Sequence, residues 1–97
     1  MTYREWKRLR AHARTAAEFH TLAEWARSRA ELYRKKQVEA EAALREYYAS
    51  SGPQAVPKYP QRDLSIKLDI AHYHDLAKHW SEIERVCSLE AVELRKN

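Results

Sequence analysis

Histidine is the residue in this chain best suited to metal or proton chemistry, and two of the five histidines sit at usable spacing with carboxylates. His72, Asp75, His79 and Glu82 recur at i, i+3, i+7 and i+10, which is one face of a helix. Imidazole and carboxylate on a shared face can bind zinc or another divalent ion. The same spacing also describes a solvated polar face with an Asp75–His79 pair one turn apart. The Glu-x-x-His repeat of carboxylate-bridged di-iron bundles is absent. A glycine-rich phosphate loop, a nucleophile elbow and His-Glu-x-x-His are absent too. The residues thus offer catalysis no constellation. The expectation is a protein that is not an enzyme and needs no cofactor.

The second candidate set is cationic. Arg4, Lys7, Arg8, Arg10 and Arg14 face a single acid, Glu5, within the first 14 residues. From residue 15 onward basic and acidic side chains are equal in number, so the whole net charge of +4 belongs to the N-terminal segment. Tyr3, Trp6, Leu9 and Ala13 would line the opposite face of a helix there. Such a basic amphipathic helix can lie on an anionic membrane, meet nucleic-acid phosphates or dock on an acidic protein. It can equally be an ordinary helix end with a solvated basic side. A further cluster, Arg27, Arg29, Arg34, Lys35 and Lys36, is interleaved with or flanked by Glu24, Glu31, Glu39 and Glu41.

The elements that must carry these residues are helices. A single glycine, Gly52, and a single asparagine, Asn97, leave almost nothing for the tight turns a sheet needs. Thr2-Tyr3-Arg4-Glu5 fits a capping box, and no proline or glycine follows until Gly52. Leu9, His12, Ala16, Phe19, Ala23, Ala26, Ala30, Tyr33, Gln37, Ala40, Leu44 and Tyr47 form a seam at alternating steps of three and four, a coiled-coil pattern. Alanine at every seventh position admits a partner helix at the close limit of about 8 Å.

Thr15-Ala16-Ala17-Glu18 is a second capping box, which leaves two shapes open. Either the first helix runs unbroken to about residue 50, or it breaks at Thr15 and leaves a short arm over residues 1–14. The proline-bearing segment from Ser51 to Arg62 reads as a linker, with Gly52 ending one helix and Asp63 capping the next, which runs to about Arg95. The stripe of that helix is Ile66, Ile70, Tyr73, Leu76, Ala77, Trp80, Ile83, Cys87, Ala91 and Leu94. The one cysteine, Cys87, falls on it and reads as a small core side chain, or otherwise as one half of a disulfide across a dimer.

The segments Thr15-Ala-Ala-Glu-Phe-His-Thr-Leu-Ala, Lys58-Tyr59-Pro60 and His74-x-Leu76-Ala77 resemble an uncharacterised group of small helical proteins from soil bacteria, over roughly residues 15–96. The resemblance implies a helical hairpin and no particular activity. Its members are usually exported, whereas this chain has a basic segment where a signal peptide would stand. A cytoplasmic location follows from that absence, or an exported one if the chain is a processed form. No apolar run is long enough to cross a bilayer.

Together these readings predict an all-α protein: a long antiparallel helical hairpin with a basic N-terminal arm, dimerising into a four-helix bundle. Leu9, Ala16, Phe19, Ala23, Ala26, Ala30 and Tyr33 would form the self-association seam, because an unbroken first helix leaves its N-terminal heptads without a partner in the same chain. The expected role is a non-enzymatic interaction or assembly module, with a second copy or another protein as partner. A nucleic-acid-binding accessory protein is the alternative, and a metal- or ligand-binding bundle a third. On this reading, deletion of residues 1–14 would leave a folded hairpin.

Overall fold

The computed structural model describes residues 1–51 and 60–96, with side chains over 1–49 and 62–96. The described residues form three helices: α1 (Tyr3–His12), α2 (Ala16–Ser51) and α3 (Pro60–Lys96). The fold is all-α, and its frame is the antiparallel pair of α2 and α3. Register along that pair is marked by Arg27 against Glu84, Arg34 against Ser81 and Tyr48 against Asp63.

Of the two shapes left open at Thr15, the structure takes the broken one. α1 stops at His12, Ala13 is extended at φ −64° and ψ 131°, and α2 starts at Ala16. The break is stabilised by reciprocal capping. Thr15 Oγ1 accepts from the Glu18 amide at 3.2 Å, while Glu18 Oε1 accepts from the amides of Arg14 and Thr15 and from the Thr15 hydroxyl. Glu18 thus satisfies donors that a helix start leaves unpaired. The box at Thr2 and Glu5 forms as the sequence predicts.

α1 folds back along the hairpin, and one side chain holds it there. Trp6 is 2% exposed and reaches the cluster of Leu22, Ala23, Ala26, Ala30, Trp80 and Cys87. An isolated ten-residue helix is marginal in water, since even alanine-rich peptides need about 12–15 residues. Residues 1–14 thus form the short arm that a break at Thr15 implies, and Trp6 docks that arm on the core. Fully burying an aromatic ring of about 150–250 Å² at about 25 cal/mol/Å² contributes on the order of 4–6 kcal/mol. That outweighs the about 0–1 kcal/mol of an exposed ion pair such as Arg27–Glu84. The polar cross-links fix register; burial supplies stability.

The alanine seam is spent inside the chain. Ala23, Ala26 and Ala30 are buried between α2 and α3, and Tyr33 stacks on Tyr73 at 6.3 Å. Leu9 and Phe19 pack against the core cluster, and Ala16 is half-buried. These residues therefore do not form a free self-association surface. The unpartnered N-terminal heptads that suggested one do not exist, because α1 turns back on the hairpin.

The second helix also begins earlier than expected. α3 opens at Pro60, a residue suited to the first helical position because it has no amide hydrogen to leave unpaired. Asp63 is not the cap. It lies in the first turn, accepts from the Tyr48 hydroxyl at 2.7 Å and pairs with Lys67 at 3.3 Å. The expectation for Gly52 falls outside the described residues.

Replacing Trp6 by alanine should cost about 3–5 kcal/mol, and deleting residues 1–14 should destabilise the hairpin rather than leave it intact. Ala30→Leu should cost about 1–3 kcal/mol by overpacking the α2–α3 contact. Chemical denaturation monitored by circular dichroism reads both effects. A Trp6→Ala protein as stable as the parent would contradict the anchoring of α1.

Candidate functional site

The densest group of functional side chains lies where α1 meets the hairpin. Each helix contributes one tryptophan. Trp6 and Trp25 stack at 5.6 Å, and Trp80 meets them edge-on at 5.1 Å and 5.2 Å. Tyr3 stacks beside Trp6 at 6.1 Å and meets Trp80 edge-on at 5.8 Å. Two indole hydrogen bonds tie the helices together. Trp6 Nε1 donates to the Leu22 carbonyl at 3.1 Å, and Trp25 Nε1 donates to the Met1 carbonyl at 3.0 Å. Trp6 and Trp25 therefore satisfy their indole N–H groups while burying apolar area.

Cations cap the outer edge of this cluster. Lys7 stands 5.2 Å from the Tyr3 ring centroid, Arg10 5.4 Å from Trp6 and Arg29 4.7 Å from Trp25. Arg4, Lys7, Arg8, Arg10 and Arg14 are all exposed, and among the described residues none pairs with a carboxylate. Of the five cations expected from the sequence, Arg4, Lys7, Arg8 and Arg10 are thus carried on α1, and Arg14 lies in the break that follows it. Beside them is an open cleft of about 390 Å³ lined by Tyr3, Arg29, Tyr33, Leu76, His79 and Trp80. A second, of about 420 Å³, lies on the α3 flank of α1 between Arg10, His79 and Val86.

The metal-binding alternative gains no assembled ligand set. Among the described residues no three of His, Cys, Asp and Glu come together in a way that could hold an ion. His72, Asp75, His79 and Glu82 share a face, but ten residues of helix spread them over about 15 Å of axis. Among the described residues no neighbouring helix adds a ligand to any pair of them. Glu82 is engaged by Arg85, whose Nε donates at 3.1 Å and which holds the carboxylate below its usual range. His79 instead packs against Trp80 at 5.7 Å.

Cys87 is 2% exposed within the core cluster. Burial pushes its thiol above the ordinary range, with Arg10 acting weakly in the other direction. A side chain so enclosed cannot bridge two chains, so the core reading of Cys87 holds and the inter-chain disulfide does not.

Sequence reasoning missed Trp25 and Leu22, which lie off the alanine seam. The signal was present as a second stripe, Leu22, Trp25, Arg29 and Leu32, at steps of three and four. A helix with two apolar stripes needs partners on two sides, here α3 and α1. No helix among the described residues is long and apolar enough to cross a membrane. Comparison with known proteins gave no match, whether to a family model, a curated protein or a solved structure.

Two solution measurements check this geometry. Glu18 is held below its ordinary value, first by the Thr15 hydroxyl and then by the Arg14 amide. A depressed carboxylate stabilises the fold above its unfolded pKa and loses that contribution as pH falls through the lowered one. The melting temperature should therefore drop on acidification below about pH 4, and Glu18→Gln should flatten part of that drop. Cys87 should resist a thiol-specific reagent in the native protein and react on unfolding. Prompt reaction in the native state would contradict its burial.

Proposed function

We propose that this protein is a non-enzymatic helical interaction module that pairs with a second copy through the uncovered part of its hairpin groove. The observation that carries this reading is the mismatch in helix length. α1 has 10 residues, α2 36 and α3 37. At 1.5 Å per residue, the third place in the bundle is filled for about 15 Å of a hairpin about 54 Å long.

Surface area supports the same reading. The accessible surface is 7,380 Å², against about 5,800 Å² for a compact monomer of this mass. The radius of gyration of 18.9 Å compares with about 12.5 Å for a compact chain of this length. The uncovered stretch is about 40 Å long and about 18 Å wide across two helices, or about 700 Å². A standard stable interface takes about 800 Å² from each partner.

Helical phase at about 100° per residue puts α1 and the polar cross-links on opposite sides of α2, with Leu22 and Trp25 roughly opposite Arg27 and Arg34. The groove beyond α1 therefore continues past Leu32, Ala40 and Ala43 on α2 and past Leu68 and Leu76 on α3. Leu32 and Leu68 are 39% and 61% exposed. Residues 31–49 and 62–78, which border this stretch, hold seven acids and seven bases. A two-fold contact between such neutral surfaces meets no net repulsion, whereas the basic α1 end would repel its own copy.

Sedimentation equilibrium at tens of micromolar should return twice the chain mass of 11.5 kDa. Leu32→Glu combined with Leu68→Glu should return the monomer with helicity retained. A parent protein that sediments as a stable monomer would overturn the pairing.

A further inference from the structure

We infer that the outer face of α1 and the cleft beside it form a binding surface for single-stranded nucleic acid. Charge gives the first reason. Every unit of net positive charge lies in the first 14 residues, and the five cations there have no carboxylate partner among the described residues. Arg4, Lys7 and Arg8 follow one another at i, i+3 and i+4, so they form one compact exposed patch.

Burial of the apolar face decides between polyanions. An amphipathic helix binds a membrane by inserting its apolar side. Trp6 is 2% exposed and Leu9 packs against the core, so the apolar side of α1 is turned inward except for Tyr3 at its start. What remains outward is cationic and fixed in place by the Trp6 and Trp25 indole bonds. That arrangement suits phosphates.

The cleft decides between single strand and duplex. Proteins that hold single strands combine a basic track with aromatic faces on which bases stack. Tyr3 is 48% exposed, carries Lys7 over its ring, and borders the cleft shared with Arg29, Tyr33 and His79. At about 390 Å³ the cleft is at the small end of ligand sites, the scale of one nucleotide. An unpaired base enters it beside Tyr3 and Tyr33, with its phosphate on Arg29 and the following phosphates on Lys7, Arg4 and Arg8. The stacked bases of a duplex cannot turn into such a cleft. The cations of α1 lie outside the stretch of hairpin proposed to pair, and the cleft adjoins that stretch at Tyr33 and Leu76.

Fluorescence anisotropy of labelled oligothymidylate with the full chain tests the inference. Binding should weaken steeply between about 50 mM and about 200 mM salt, with a logarithmic slope of about −3 for four to five phosphates on a single strand. A duplex of the same length should bind more weakly. The triple variant Arg4→Glu, Lys7→Glu, Arg8→Glu alters only exposed side chains. It should melt like the parent, lose at least tenfold in affinity, and show a slope smaller by about 2. Arg29→Gln should reduce the preference for single strand over duplex. No binding at about 50 mM salt, equal or tighter binding of duplex, a triple variant that binds like the parent, or capture of phosphatidylserine vesicles without oligothymidylate would each overturn the inference.

Discussion

The packing of Trp6 against Trp25 and Trp80 is the contact on which the rest of the molecule depends. It places one indole from each helix at a single point, and each aromatic pair adds about 0.5–1.5 kcal/mol beyond the area it buries. Without it α1 is too short to stay helical, the capping box at Thr15 and Glu18 has no helix to turn, and the basic patch loses its rigid support. With it, a two-helix hairpin becomes a three-helix bundle at one end only. The two ends then differ in chemistry as well as in packing: the α1 end is filled, aromatic and cationic, while the far end is open and electrically neutral.

That asymmetry follows from where apolar side chains were spent. Near α1 the large rings fill the space between three helices, and alanines at positions 23, 26 and 30 let α2 and α3 approach closely. Farther along, Tyr33 and Tyr73 stack across the hairpin, but no third helix among the described residues packs over them. Leu64 and Leu68 are exposed there at 58% and 61%. Large exposed apolar side chains on an elongated frame are the physical basis for assigning this stretch to a partner.

Much of the fold was legible in the sequence because its signals were local. Near-absence of glycine and asparagine excluded a sheet, and the alternating steps from Leu9 to Tyr47 marked a buried stripe. Thr15 and Glu18 announced the break, although the same residues fit a continuous helix until Trp6 is given something to pack on. What escaped depends on contacts between distant parts of the chain. Trp25 and Leu22 belong to a second stripe whose meaning appears only when α1 lies over it. Asp63 has the composition of a cap, yet Pro60 starts the helix first. His72, Asp75, His79 and Glu82 share a face, but periodicity along one helix does not say whether a neighbouring helix brings a further ligand to any of them, and among the described residues none does. The cationic set from Arg4 to Arg14 was legible as charge and not as geometry, because its support is the packing of Trp6 and Leu9 on the hairpin from the opposite face.

Amide and indole hydrogen exchange followed by NMR tests the central claim most directly. The Trp6 Nε1 proton donates to the Leu22 carbonyl inside the core, whereas the Trp25 Nε1 proton bonds the Met1 carbonyl at an exposed site. If Trp6 anchors α1, its indole proton should exchange only as fast as the core amides of Ala26 and Ala30, and far more slowly than that of Trp25. Exchange of the Trp6 indole proton at the rate of a free indole, while the Ala26 and Ala30 amides remain protected, would show α1 detached from a hairpin that folds without it.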